Sequence, residues 1–422
     1  MSRIVVTTIG SLGDLHPQIA IALELQQRGH KIVFATHRSY QTKIENLGLE
    51  FRSLRPDLPT ADEPEIMAQM LDLKTGGEYI IKEWLLPNLR DTYTDLMASA
   101  QGADCIVSGE IVYATRLVAE KLEIQWITSV LQPAAFFSAV DPSVIPLFPL
   151  ADRLPKLGRT FNRAVKQLLL AVTKSWGEPI HQLRKQLGLP RLAGNVIIDN
   201  KCSPYLALAL FSTALAQPQS DWPSNTIATG FTFFDGDRNP AELSPQLQQF
   251  LKIGESPIVF TLGSAAVNNP GTFYRESIAA IKQLNLRAVL LIGENPPPAN
   301  LSQDIIAIDY VPYSQIFPHA RAIVHQGGIG TTAQALRAGC PTLVVPYGND
   351  QPDNAARVER LGTSRTIARS QYTASRLAKE LRELLDNSQY ATKAAEIGQI
   401  IRAENGVKVA CDAIEQQLIK EI

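Results

Sequence analysis

The sequence predicts an α/β protein of two consecutive domains, each a parallel β-sheet with helices on both faces. Three observations carry that expectation. Short apolar runs alternate with amphipathic helical segments through each half, which is the pattern of βαβ units. Near the start of the first half and deep in the second, an apolar run leads into a glycine turn, a helix and another apolar run. Between the halves lies a turn-rich stretch, Gln217-Pro218-Gln219-Ser220-Asp221-Trp222-Pro223, after which the alternation restarts. A chain of 422 residues is long enough for two ordinary cores.

Taken in order, residues 4–8 form the first apolar run, followed by Gly10-Ser11-Leu12-Gly13-Asp14-Leu15-His16-Pro17. A helix then runs to about residue 28, with Ile19, Ile21, Ala22, Leu23 and Leu25 on its apolar side. Gly29 ends it and 31–36 is the next strand. Helices are expected near 40–47, through 79–100 and at 113–121, with strands at 104–108 and 125–129. In the second half, strands are expected at 257–262, 288–292 and 305–308, and a helix at 271–284. Ala322-Ile323-Val324 reads as a buried strand, His325-Gln326-Gly327-Gly328-Ile329-Gly330 as a turn, and 331–338 as a helix stopped by Gly339 and Pro341. The last helix, 407–419, carries an apolar face. The expected division is 1–216, a linker at 217–225, a second domain at 226–400 and a C-terminal helical segment at 401–422.

Composition removes several function classes. Forty basic residues against 41 acidic ones give no bulk charge for nucleic-acid binding. Cys105, Cys202, Cys340 and Cys411 lie far apart, form no CxxC pair, and suit small buried hydrophobes in a reducing compartment. Met1 leads straight into the first strand, and no apolar run reaches the ~20 residues that span a bilayer. The expected location is the cytoplasm.

The densest chemistry lies at 309–351. Glycines let the backbone approach a ligand closely, and free N–H groups at a helix start favour an anion. A histidine beside them adds a hydrogen bond to phosphate. The segment therefore predicts a phosphorylated ligand. Tyr310, Pro312, His325, Gly327, Gly328, Gly330, Thr331, Arg337-Ala338-Gly339, Pro341, Asp350 and Gln351 resemble, at matching spacing, the donor motif of the family 1 glycosyltransferases. Those are nucleotide-sugar-dependent enzymes of the GT-B fold. The resemblance covers nearly the whole chain. Segments around 203–205, 219–223, 229–231 and 234–236 are similar to bacterial glycolipid rhamnosyltransferases, and more diffusely to sterol and glycopeptide-antibiotic glycosyltransferases.

That resemblance implies two Rossmann-like domains with parallel sheets facing a central cleft, toward which 10–14 and 325–331 point. It implies an inverting, metal-independent transfer of a hexose from a nucleotide sugar, with uridine favoured, to a hydroxyl of a hydrophobic small molecule or lipid. No cofactor and no metal are implied. Asp14 stands where plant and macrolide enzymes carry a catalytic histidine, so it is the implied base; the alternative is an aspartate that only caps the helix. His16, two positions on, is the rival base or an ordinary partly buried histidine. Their histidine-orienting aspartate corresponds here to Gly109, leaving Glu110 as an acceptor contact or a solvated charge. On the donor side Gly13, Ser264, His325, Gly327, Gly328, Gly330 and Thr331 are implied around the phosphates. Tyr310 and Val311 are implied at the base, and Asp350 and Gln351 at the sugar hydroxyls. The glutamate that binds ribose in plant members is replaced by Ala333.

Three features read differently. Asp235-Gly236-Asp237 looks like a metal-binding DxD but suits turn chemistry. Gly10-x-x-Gly13 lacks the third glycine of a dinucleotide site, and the next strand ends Thr36-His37-Arg38 instead of in an acid. Residues 159–176 put Phe161, Val165, Leu168, Leu169, Val172 and Trp176 on one helical side, as a core or acceptor-lining helix or as a peripheral membrane contact. The alternative functions are a non-hydrolysing sugar-nucleotide epimerase and a catalytically silent donor-binding partner of another enzyme.

Overall fold

The structure, a computed structural model, describes residues 1–59, 63–144, 158–236 and 243–419. The chain divides into two compact units. The first comprises Met1–Leu58, Thr75–Phe234 and Asn405–Ile422, and the second Pro59–Lys74 and Asp235–Glu404.

In the first unit seven strands form one parallel sheet: β1 (Arg3–Thr7), β2 (Lys31–Thr36), β3 (Glu50–Ser53), β4 (Cys105–Gly109), β5 (Gln125–Val130), β6 (Leu206–Ala209) and β7 (Thr226–Ala228). Their order is β3-β2-β1-β4-β5-β6-β7. The central strands are apolar without alternation because helices cover both faces. Val5, Val33, Ile106 and Ile127 are fully buried. The order reverses between β1 and β4, and ligands of such sheets bind beyond the carboxyl ends of the strands at that reversal. The glycine turn after β1 sits there.

The second unit repeats the plan with β8 (Ile258–Thr261), β9 (Ala288–Leu291), β10 (Ile305–Ile308), β11 (Ala322–His325), β12 (Thr342–Val344) and β13 (Ser364–Thr366). The order β10-β9-β8-β11-β12-β13 reverses between β8 and β11. Those two strands pair in parallel with Thr261 opposite His325, so the segments that follow them, the helical turn Gly263–Ala266 and the glycine turn Gln326-Gly327-Gly328, are neighbours. Phe260 and Phe273 lie beneath them, and Phe273 stacks on Tyr372 with ring centroids 5.0 Å apart.

Some elements differ from the expectation. The stretch 217–225 is not a linker. Trp222 is 7% exposed and stacks on Phe136 at 4.3 Å, and β7 adds to the first sheet, so this unit continues to Phe234. The helix expected through 79–100 is divided into Gly76–Tyr79, a π-helical turn Ile80–Leu85 and Leu89–Ser99, with Pro87, which lacks an N–H, at the break. Pro59–Lys74 leaves the first unit and buries Leu71 in the core of the second. The helix Gly406–Ile419 packs on the helix Leu12–Gln27. Arg28 there meets Asp412 and Glu415 at 2.7 Å, and His30 meets Glu415 at 3.0 Å.

Candidate active site

Gly10 has φ +133°, open to glycine and costly for other residues. Ser11 then caps the helix Leu12–Gln27. Asp14 Oδ2 accepts from Ser11 N at 2.8 Å and from its hydroxyl at 3.3 Å, while Gly13 N donates to Ser11 Oγ at 3.3 Å. The reciprocal capping box fixes Asp14 at the first turn. Capping is thus part of what this carboxylate does, and Gly13 N is engaged inside the turn.

His16 lies on the same turn, its ring 5.2 Å from that of Phe234. Its Nε2 is buried without a hydrogen-bond partner. Burial, with Lys43 nearby, lowers its pKa to about 4, so the ring is neutral near pH 7. Glu110 is not a solvated charge: it forms a 2.6 Å ion pair with Lys201, and both side chains are under a tenth exposed. Gly109 stands where other family members carry the orienting residue, and a Cβ there would lie 3.1 Å from Thr8 Oγ1, a contact that needs the hydroxyl to give by a few tenths of an ångström.

In the second unit His325 ends β11 and is fully buried. Its Nδ1 accepts from Gly327 N at 3.1 Å, so Nε2 carries the hydrogen, and that atom is buried with no partner. Burial lowers its pKa to about 3, leaving a neutral N–H donor in the glycine turn. Gly327 has φ +93°, and a Cβ on it would meet Val344 Cγ1 at 2.7 Å. The helix Ile329–Ala338 begins directly after, and its N-cap, Gly328, offers no side-chain cap to the first N–H groups. Asp350 Oδ2 instead accepts from Ile329 N at 3.2 Å.

Asp350 also accepts from Asn354 Nδ2 at 2.6 Å, and the same amide donates to Gly327 O at 2.9 Å. Burial raises the Asp350 carboxyl to about 6, against the lowering effect of these donors. Gln351 Oε1 accepts from Tyr347 N and Gly348 N at 2.7 and 3.1 Å, so its carbonyl holds the preceding loop. Ser264 is exposed on the turn after β8. Tyr310 is 66% exposed whereas Val311 is buried. The structure thus gathers Ser264, His325, Gly327, Gly328, Gly330, Thr331, Asp350 and Gln351 around the ends of β8, β11 and β12.

Sequence reasoning passed over several members of this network. Gln326 fills the space beside Gly263 and Gly328 and donates to Thr331 Oγ1 at 3.3 Å. Tyr313 meets Thr261 Oγ1 at 2.9 Å under the same turn. Asn354 had a legible signal, its i+4 spacing from Asp350 on a helix beginning at Gln351. Asp235 pairs with Arg337 at 2.6 Å, whereas Asp237 lies outside the described residues. Among the described residues no cluster of three or more His, Cys, Asp or Glu suits a metal ion.

Comparison with known proteins agrees with this geometry. Residues 4–134 match the glycosyltransferase family 28 N-terminal domain, and 276–416 match the erythromycin biosynthesis protein CIII-like C-terminal domain. O-mycaminosyltylonolide 6-deoxyallosyltransferase of Streptomyces fradiae is 29% identical over 98% of this chain and 97% of its own length. Sterol 3-beta-glucosyltransferase of Yarrowia lipolytica is 29% identical over 97% of this chain, which spans only 28% of that protein. Among solved structures, the kitacinnamycin glycosyltransferase superposes with a TM-score of 0.74 at 21% identity, covering 99% of this chain and 98% of that one. The glycosyltransferase VinC, solved in complex with dTDP, superposes with a TM-score of 0.65 at 20% identity, covering 99% of this chain and all of that one. With two parallel-sheet α/β domains and both halves matched, the chain belongs to the glycosyltransferases of the GT-B fold.

Proposed function

We propose that this glycosyltransferase is inverting and metal-independent, and moves a hexose from a uridine diphosphate sugar to a hydroxyl of a hydrophobic small molecule or lipid. The observation that carries the donor reading is His325, a neutral imidazole whose buried Nε2–H has no partner, in a glycine turn at a helix start. Such a donor, with the N–H groups of Gly328, Gly330 and Thr331, suits the diphosphate and stabilises it as it departs. Tyr310 offers an exposed aromatic face to the base beside the backbone of Val311. Asp350 and Gln351 offer a carboxylate and an amide to the sugar hydroxyls.

In the reaction, Asp14 takes the acceptor hydroxyl proton as the oxygen bonds to the anomeric carbon. The bond from that carbon to the diphosphate oxygen breaks, releasing the nucleoside diphosphate. Inversion follows from a single in-line displacement. A thymidine diphosphate sugar is the second donor candidate, since VinC was solved with dTDP. The names of the curated relatives, a macrolide-type and a sterol glycosyltransferase, support an apolar acceptor. The described residues include no helix long and apolar enough to cross a membrane. A cytoplasmic enzyme with peripheral membrane contact through the helix Arg159–Thr173 fits its exposed Phe161, Leu168 and Val172.

Calorimetric titration with UDP, dTDP and GDP in EDTA tests the donor site. Binding of one nucleotide by the wild type, weakened by roughly 1.5–3 kcal/mol in His325→Ala, supports it. Binding to none of the three, or affinity unchanged in His325→Ala, refutes it. Asp14→Asn should keep donor affinity and lose turnover; full turnover would transfer the base role to His16.

A further inference from the structure

His37 directly follows β2, whose side chains from Ile32 to Thr36 are buried, and it takes no part in the transfer reaction. It is fully buried, with its ring 5.9 Å from Trp84. Its Nδ1 lies 2.6 Å from the Pro56 carbonyl, which can only accept, so Nδ1 carries the hydrogen. Nε2 is therefore a bare acceptor, and Gly10 N donates to it at 2.8 Å. From the same segment Tyr40 donates its hydroxyl to Gly10 O at 3.3 Å. Both polar groups of Gly10 are thus held by side chains that follow β2.

What rests on Gly10 is Asp14. The space a Cβ would take at Gly10 is filled by the Asp14 carboxylate, whose Oδ2 lies 2.3 Å from that point. Ser11 N, one peptide further on, donates to the same oxygen at 2.8 Å. The linkage runs from the Pro56 carbonyl through the imidazole to Gly10, and through the next amide to the carboxylate. We propose that His37 is a positioning residue that clasps the Gly10 turn and thereby sets where the Asp14 carboxylate stands. The inference rests on Asp14 being the base. Its cost when broken is geometric: a reacting group displaced by ~1 Å loses on the order of a hundredfold in rate.

Two substitutions separate this role from simple packing. His37→Gln puts an amide oxygen about where Nε2 stands and keeps the acceptor for Gly10. His37→Asn puts an amide nitrogen about where Nδ1 stands and keeps only the link to Pro56. Turnover is read as UDP released from UDP-glucose with 4-methylumbelliferone and with water as acceptors. We expect kcat of His37→Gln to stay near wild type. His37→Asn should fall roughly ten- to hundredfold with donor KM unchanged. Equal losses in both variants, or a wild-type rate in His37→Asn, would overturn the clasp. Imidazole 15N spectra, assigned by difference against His37→Asn, give a readout that needs no acceptor. They should show Nδ1 protonated and Nε2 bare, and a protonated Nε2 would sink the proposal. Full turnover of Asp14→Asn would instead remove the base assignment itself, whichever way the His37 variants behaved.

Discussion

Burial holds His16, His37 and His325 neutral, with pKa values of about 4, 4 and 3 against an ordinary 6.5. Between roughly pH 6.5 and 4 the unfolded chain binds these protons and the folded chain does not, so each histidine lowers stability as pH falls through that window. Asp350 works in the opposite sense. Its carboxyl, raised from 3.8 to about 6, is protonated in the folded protein before the unfolded one, so its contribution improves over part of the same window. Three groups oppose one, and the melting temperature should fall between pH 7 and pH 4.5. Asp350→Asn removes the opposing group and should steepen that fall in a calorimetric pH series; an unchanged slope would show that Asp350 titrates normally. The sequence displayed these residues unevenly. His325, the glycines and the Asp350-Gln351 pair lie in one continuous motif, and Ser11 with Asp14 forms a recognisable capping box. His37 and Lys201 were hidden because their partners lie 27 and 91 residues away, at distances no local pattern encodes.

At the scale of elements, the helix bearing the glycine turn is seated by another helix. Gly398, in the helix Ser388–Ala403, lies against Gly339 at the end of the helix Ile329–Ala338, and a Cβ on it would be 2.8 Å from Gly339 Cα. Arg402 donates to Arg337 O at 2.6 Å beside this contact. Gly398→Ala should therefore push the two helices apart, with a loss of ~1–3 kcal/mol in denaturant unfolding and weaker nucleotide binding. A variant with wild-type stability would show that the contact relaxes freely. The helix Arg159–Thr173 has exposed Phe161, Leu168 and Val172, no acidic residue, and exposed Arg159 and Arg163. If it docks on anionic lipid, phosphatidylglycerol vesicles should sediment the protein at low salt. The double variant Phe161→Ser/Leu168→Ser should stay in solution, and equal sedimentation of both would exclude this face. Long buried strands such as β2 and β5 were legible from their apolar runs. β3, β7 and β13 were not, being three or four residues long with little buried surface in β3 and β7.

In the whole molecule the chain passes between its two units four times, since the first unit holds three segments and the second holds two. The turn-rich stretch at 217–223 gave a sound count of domains but a boundary placed too early, because Trp222 and β7 still belong to the first core. The excursion Pro59–Lys74 left no compositional mark, though Leu71 anchors it in the core of the second unit. Removing residues 405–422 should uncover the face of the helix Leu12–Gln27 on which the fully buried Cys411 and Ile414 pack, and strip Arg28 of Asp412 and Glu415. The shortened protein should melt at a lower temperature and bind a dye that reports exposed apolar surface; wild-type melting would show the helix to be dispensable. The seating of that helix also sets an order of events at the ribosome. Arg28 and Asp412 are separated by 384 residues, which at ordinary rates of synthesis is an interval on the order of tens of seconds. For that interval the first unit exists with an uncovered apolar face. A nascent chain of this design must wait for its own last turns, or be shielded meanwhile, before its first half is complete.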